Sequence, residues 1–190
     1  MSSEKRIFSS ERVFTKRLII ERLRASDWKF FKCIAGDPVV YRYFSEYRLS
    51  SKMLEKFFMD EIIANQDNYT LSLVIRTKAE VPIGILSMYY VKNGVWLVEY
   101  ALLEAHRGKK YMSEVLEKIV KDDIEFLLTF KVSCLSIRCL LLEIPNDNLT
   151  SVNLIRRISR KQGVQMDVST SSFYEEFESK DGWTWYRLNI

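Results

Sequence analysis

A chain of 190 residues, 47% of them hydrophobic and with only 6 glycines and 3 prolines, is long enough for one well-buried domain and too short for two ordinary ones. Its formal net charge of +4 is dispersed, with Lys and Arg interleaved among Asp and Glu, so no basic block predicts a nucleic-acid partner. No apolar run approaches the roughly 20 residues that span a bilayer, which argues against membrane insertion and secretion. Cys33, Cys134 and Cys139 are odd in number and lack CxxC spacing, pointing to reduced core residues and a cytoplasmic compartment.

After a polar extension over residues 1–14, the stretch 17–24 alternates through Leu18, Ile20 and Leu23 and predicts a first strand. Ser26-Asp27 offers an N-cap to a short helix carrying Trp28, Phe30, Phe31 and Ile34, which runs to about Gly36. Asp37-Pro38 breaks it and opens another turn. Met53, Leu54, Phe57, Phe58 and Ile62 recur at helical spacing from Ser50 or Ser51 to about Asn65. Residues 69–76 and 83–91 read as a hairpin, and Asn93-Gly94 then turns the chain into an apolar strand over 95–103. Met112, Val115, Leu116, Ile119, Val120, Ile124 and Leu127 mark one face of a single helix over 111–128. A buried strand over 132–144 and a turn at 145–148 precede a helix of about ten to twelve residues that ends near Gly163. Residues 164–169 and 183–190 close the chain as strands around an acidic, Ser-rich connection. The sum is α+β: one domain over residues 15–190, with a mostly antiparallel sheet flanked by helices.

The chemistry concentrates at Arg107-Gly108-Lys109-Lys110-Tyr111-Met112-Ser113-Glu114, between the strand over 95–103 and the helix that follows. Free backbone N–H groups and the positive end of a helix dipole converge at such a turn and make a phosphate cradle. Arg107, Lys109 and Lys110 supply charge, and Gly108 permits close approach. The alternative is a solvated basic helix start, with Glu114 satisfying the dipole. Glu99 is the single charged residue in the strand over 95–103. Among Leu97 and Ala101 it should be partly desolvated, with its pKa raised, and it either serves as a general base or pairs with a core Arg, Tyr or backbone donor. Asn148 as N-cap with Ser151 at the third helical position satisfies orphan amides. His106 reads as a surface residue, and Tyr111 as wall or packing. The acidic pairs Asp122-Asp123 and Glu175-Glu176 have no His or Cys companions at ligand spacing, so no metal is expected.

Three stretches carry a family resemblance: residues 15–23, TKRLIIERL; residues 107–116, RGKKYMSEVL; and residues 148–151, NLTS. In this order they resemble T-x-R-L-x-L-R-x-L, R-G-x-G-x-A-x-E-A-L and N-x-x-S of the GNAT family of acyl-CoA N-acyltransferases. The resemblance is closest to the branch with ribosomal-protein N-terminal and polyamine acetyltransferases. It implies the GNAT fold, with a six- to seven-stranded mixed sheet, and transfer of an acetyl group from acetyl-CoA to a primary amine by direct attack. The acceptor would be a protein N-terminus, a lysine or a small amine, and the enzyme a monomer or homodimer. Leu102, Leu103 and Glu104 would pair with the pantetheine arm, and residues 107–112 would hold the pyrophosphate. Asn148 would bind a pantetheine amide, Glu99 would act as base and Ser151 would return a proton to the thiolate. Tyr41, Tyr43, Phe44 and Tyr47 would either pack or wall the acceptor groove. The chain departs from the pattern where Glu21 replaces an Arg, and where Lys110 and Met112 occupy positions of small residues. The last two favour an alternative, a catalytically degenerate acyl-CoA-binding or protein-interaction module.

Overall fold

A computed structural model describes residues 11–44, 49–65, 69–132, 136–175, 177–178 and 180–190. Tyr47, Cys134 and Glu176 lie outside the described residues. The strands are β1 (Arg12–Phe14), β2 (Leu18–Arg22), β3 (Thr70–Thr77), β4 (Pro82–Lys92), β5 (Val95–Leu102), β6 (Cys139–Pro145), β7 (Gln165–Ser169) and β8 (Trp183–Asn189). They form one sheet in the order β1-β2-β3-β4-β5-β6-β8-β7. Between β2 and β3 lie α1 (Trp28–Ala35), α2 (Pro38–Tyr43) and α3 (Ser51–Ala64). Between β5 and β6 lie α4 (Tyr111–Lys121) and α5 (Asp123–Thr129), and α6 (Leu149–Gln162) joins β6 to β7.

Side chains alternate across the sheet, so each strand feeds two cores. On one face Trp96 and Val98 of β5 join Leu140, Leu142 and Ile144 of β6 and Leu188 of β8 under Val115, Leu116 and Ile119 of α4 and Ile155 and Ile158 of α6. Full burial of each such side chain contributes about 1.5–3 kcal/mol. The other face is divided. Val74, Ile85 and Ala101 pack beneath Phe31, Ile34 and Phe58 of α1 and α3, whereas Val95, Cys139, Leu141 and Trp185 lie under Phe173, Tyr174 and Phe177.

Neighbouring strands are antiparallel except β5 and β6. Those two run parallel and pair only at Val95↔Cys139, Trp96↔Leu140 and Leu97↔Leu141. Both strands continue for several residues beyond the last pair without a ladder between them.

Four expectations from the sequence change. The sheet has eight strands rather than six or seven, because β1 forms inside the stretch expected to be a polar extension and pairs with β2. The helix expected over 111–128 is two helices: Asp122 leaves helical geometry at φ −128°, ψ 43°, and Phe126 N donates to Asp122 O at 2.9 Å as the second helix begins. This re-aims the apolar face, so Ile124 is 54% exposed while Phe126, Leu127 and Phe130 are fully buried. β6 starts only at Cys139, although Val132 and Ile137 are buried ahead of it. Finally, α6 spans 14 residues, ending where Gly163 takes the left-handed conformation at φ 68°.

Glu21, the departure in the opening motif, is buried between Arg12 Nε at 2.7 Å and Arg76 Nε at 2.6 Å. Burial alone would raise its pKa, but the Arg76 hydrogen bond and the surrounding guanidinium charges outweigh it and leave the carboxyl below its ordinary value. The residue is an anchor between β1, β2 and β3.

Candidate functional site

Where β5 and β6 part, a cavity of about 300 Å³ opens through the sheet. Its walls are residues 97–100 of β5 and 142–145 of β6, with Asn148 and Ser151 of α6 at one side. Tyr43, Phe44, Phe177, Glu178, Lys180, Trp183 and Trp185 complete it. The pleat assigns the side chains. Tyr100 shares the α4/α6 face with Trp96 and Val98, whereas Glu99 lies on the opposite face with Leu97 and Ala101. The opening therefore presents hydroxyls of Tyr100 and Ser151 on one side and a carboxylate on the other.

Tyr100 had no place among the candidates read from the sequence. Its hydroxyl is buried without a formed hydrogen bond among the described residues. Burial pushes its pKa up to about 12, opposed only by the nearby Ser151 side chain. It is thus a proton carrier that stays protonated at neutral pH. The signal in the sequence was weak: Tyr100 is the polar neighbour of Glu99 on an apolar strand, and only the pleat sends it to the other face.

The turn before α4 is built on two left-handed residues. Gly108 at φ 72° and Lys110 at φ 62° are both left-handed, and Lys110, as N-cap, makes no side-chain capping bond to the first amides of α4. Those amides have no intrahelical acceptor. Lys110 adopts the backbone conformation that a glycine would take, while Met112 is buried in the core beneath the helix.

The opening motif locks this turn in place. Thr15 Oγ1 donates to Glu114 Oε1 at 2.6 Å, and Arg17 N donates to the same oxygen at 2.7 Å. Arg17 Nε donates to Glu114 Oε2 at 2.6 Å, and the rest of its guanidinium reaches Lys109 O at 3.0 Å and Lys110 O at 3.3 Å. The guanidinium also lies 4.5 Å from the centre of the Tyr111 ring. Burial raises the Glu114 pKa, but the bonds from Thr15 and Arg17 prevail and lower it overall. Glu114 therefore ties the β1–β2 turn to the start of α4, a task beyond satisfying the helix dipole.

Arg107 is placed differently from the expectation. Its Nη2 pairs with Asp37 Oδ2 at 2.6 Å, and its Nε donates to Leu102 O at 2.9 Å. This ion pair holds Arg107 at the start of α2, and Lys109 and Lys110 are the exposed cations of the turn. The strand end expected to pair with a ligand is likewise occupied: Leu103 N donates to Ile83 O, and the carbonyls of Leu103 and Glu104 accept from His106 N and Arg107 N. The unpaired edge of β5 toward β6 begins instead at Val98.

Asp37 caps α2, accepting from Val39 N at 3.0 Å and Val40 N at 3.3 Å, and Arg42 near the other end pairs with Asp147. Held beside both diverging strands, α2 carries Tyr43 and Phe44 to the cavity. Tyr41 is exposed and is not among the lining residues. Asn148 accepts from Ser151 N at 3.2 Å, the capping bond expected, and both also line the cavity. His106 is held below its ordinary pKa by burial and by Lys109, and its ring lies 6.2 Å from that of Tyr111.

Comparison with known proteins follows this geometry. The family model described as the acetyltransferase (GNAT) domain matches residues 17–159. Among solved structures, a GNAT-family acetyltransferase from Bacillus anthracis is similar at a TM-score of 0.69 and 14% identity, over 94% of this chain and 97% of that one. The ribosomal L7/L12 α-N-protein acetyltransferase RimL in complex with coenzyme A gives 0.70 and 17%, over 93% and 96%. Spermidine N-acetyltransferase from Vibrio cholerae with coenzyme A and spermine gives 0.66 and 15%, over 91% and 94%. At these identities the likeness shows the fold. A search of curated proteins finds no match.

Proposed function

The chain belongs to the GNAT acetyltransferase family, whose acyl donor is acetyl-CoA, and from that premise we propose that it acetylates a primary amine inside the β5–β6 opening. The observation that carries the reading is the loss of pairing after Leu97 and Leu141, which leaves a carboxylate and two hydroxyls on opposite sides of one cavity.

Each residue then has a task. The amides at the start of α4, with Lys109 and Lys110, hold the pyrophosphate of the donor, and the open edge of β5 from Val98 holds its pantetheine arm. Acetyl-CoA supplies an acetyl group activated as a thioester. Glu99, on the face away from α6, takes the proton from the attacking amine directly or through water. Tyr100, protonated because burial raises its pKa, and Ser151 return a proton to the departing sulfur from the other face. Positioning both partners in one cavity removes the need for a covalent enzyme intermediate. Asn148 lies against the donor arm, and Tyr43 and Phe44 border the acceptor. We place the enzyme in the cytoplasm as a monomer or homodimer, a reading supported by Cys33 and Cys139 being free thiols.

Two measurements test this. At a CoA concentration about 100 times its Kd, binding to the native state should add about 2.7 kcal/mol of apparent stability and raise the melting temperature. With acetyl-CoA and a panel of primary amines, free CoA thiol should then appear in proportion to acetylated amine. A melting temperature unmoved by CoA would overturn the reading, and binding without thiol release would replace it with the acyl-CoA-binding alternative.

A further inference from the structure

Glu143 has no role in the reaction described so far, yet it faces the same cavity. It lies two residues beyond Leu141 on β6, as Glu99 lies two residues beyond Leu97 on β5, and Leu97 and Leu141 form the last parallel pair. The pleat therefore puts both carboxylates on the same face of the sheet, across the widening gap. The Glu143 side chain is only 12% exposed. Its Oε2 accepts from Lys180 Nζ at 3.0 Å, while its Oε1 is buried with no partner among the described residues. The Lys180 ammonium also lies 4.8 Å from the centre of the Trp183 ring.

A carboxylate and an aromatic face around one ammonium are the elements of a cation site. Here that site is held by a side chain of the protein itself, from a lysine that is 59% exposed. Trp185, 2% exposed, borders the same cavity, and its Nε1 is buried without an acceptor among the described residues. A buried carboxylate oxygen and a buried indole N–H left open in one cavity mark a surface shaped for a polar ligand rather than a finished core. Glu178 adds a further acidic side chain to the lining.

We propose that Glu143 is a specificity-determining residue that anchors a second positive charge of the acceptor, and that Lys180 is a tethered stand-in which this charge displaces. The substrate class is then a small amine carrying a cationic nitrogen besides the one acetylated. The inference rests on the acetyltransferase reading: Glu99 serves the reacting nitrogen, which must lose its proton, while Glu143 holds the nitrogen that remains charged. The Trp183 ring serves whichever cation is present.

The test is equilibrium binding, by calorimetry, of 1,4-diaminobutane and of butylamine to the full chain saturated with CoA. The diamine should bind about tenfold more tightly or better. Glu143→Gln should bring the two amines to within about twofold, and Lys180→Met should tighten the diamine several-fold by removing the internal competitor. Equal binding of the two amines to the unsubstituted protein, or a preference that survives Glu143→Gln in a protein that melts normally, would overturn the proposal. Should Glu143→Gln fail to fold, Lys180→Met decides: diamine affinity unchanged or weakened rejects the displacement. Turnover is read separately with acetyl-CoA. Diamine preference without thiol release would refute the acetyltransferase reading and leave the anchor standing, whereas release from both amines with equal affinity would do the reverse.

Discussion

Tyr100 and Lys110 show how much a single side chain depends on backbone that composition does not specify. Tyr100 is one residue from the carboxylate that the sequence singled out, but strand geometry sends it through the sheet to Ser151. Its burial keeps the proton on the hydroxyl, with a pKa of about 12. Tyr100→Phe should lower kcat about 10²-fold with little change in KM for acetyl-CoA, because positioned proton transfer contributes on that scale and the ring still fills its space. Steady-state kinetics would check this, and an unchanged kcat would assign the proton to Ser151 or water. Lys110 keeps a left-handed φ of 62° at a cost of roughly 1–2 kcal/mol for a residue with a Cβ. Lys110→Gly removes that cost but adds freedom to the unfolded chain, so a net gain of about 1 kcal/mol or less is expected. It would be seen as a higher urea midpoint at unchanged slope.

At the scale of elements, the notable connection is between the β1–β2 turn and the start of α4. The motifs in residues 15–23 and 107–116 were legible separately, but their junction was not, because Thr15 and Arg17 meet Glu114 across about a hundred residues of chain. Glu114→Gln removes the charge from an acceptor of three hydrogen bonds and should cost about 2 kcal/mol near neutral pH. The dependence on pH has a defined direction. The folded carboxyl titrates below its ordinary value of 4.5, so the stabilisation is present above that value and disappears as pH falls through the folded pKa. The difference between the parent and Glu114→Gln in chemical denaturation should thus shrink below about pH 4.5, and a gap that stays constant there would show that the carboxylate charge is not responsible. The split between α4 and α5 was hidden for a different reason. Apolar spacing continues through Asp122, and the break shows only in the backbone of Asp122, at φ −128° and ψ 43°, beside which Asp123 accepts from Ile137 N.

For the molecule as a whole, apolar periodicity located most elements, since most strands and helices bury a continuous stripe. The order of strands and the place of the site came from tertiary pairing, which local pattern cannot encode: β8 enters between β6 and β7, and β5 pairs with β6 over only three residues. Phosphate-turn chemistry and Glu99 could be read because they stand out from their neighbours. Glu143 and Trp185 could not, because a single Glu near the end of an apolar strand and a Trp near the carboxyl terminus have many ordinary explanations. Arg107 was legible as a cation but not as one already spent on Asp37.

The short pairing of β5 with β6 also fixes how long different peptide hydrogens survive in heavy water. Between these strands the ladder ends at Leu97 and Leu141, so inward-pointing N–H groups farther along both strands are shielded by no neighbouring strand. In the free protein, peptides over 98–102 and 142–145 should take up deuterium sooner than those from the long β3–β4 pairing. Mass spectrometry should record a slowing at these two peptides and at the first turn of α4 when CoA is added, while β3 and β4 keep their rates. The donor would thereby serve as a missing length of ladder, and the most exchangeable part of the sheet would become protected only while substrate is aboard.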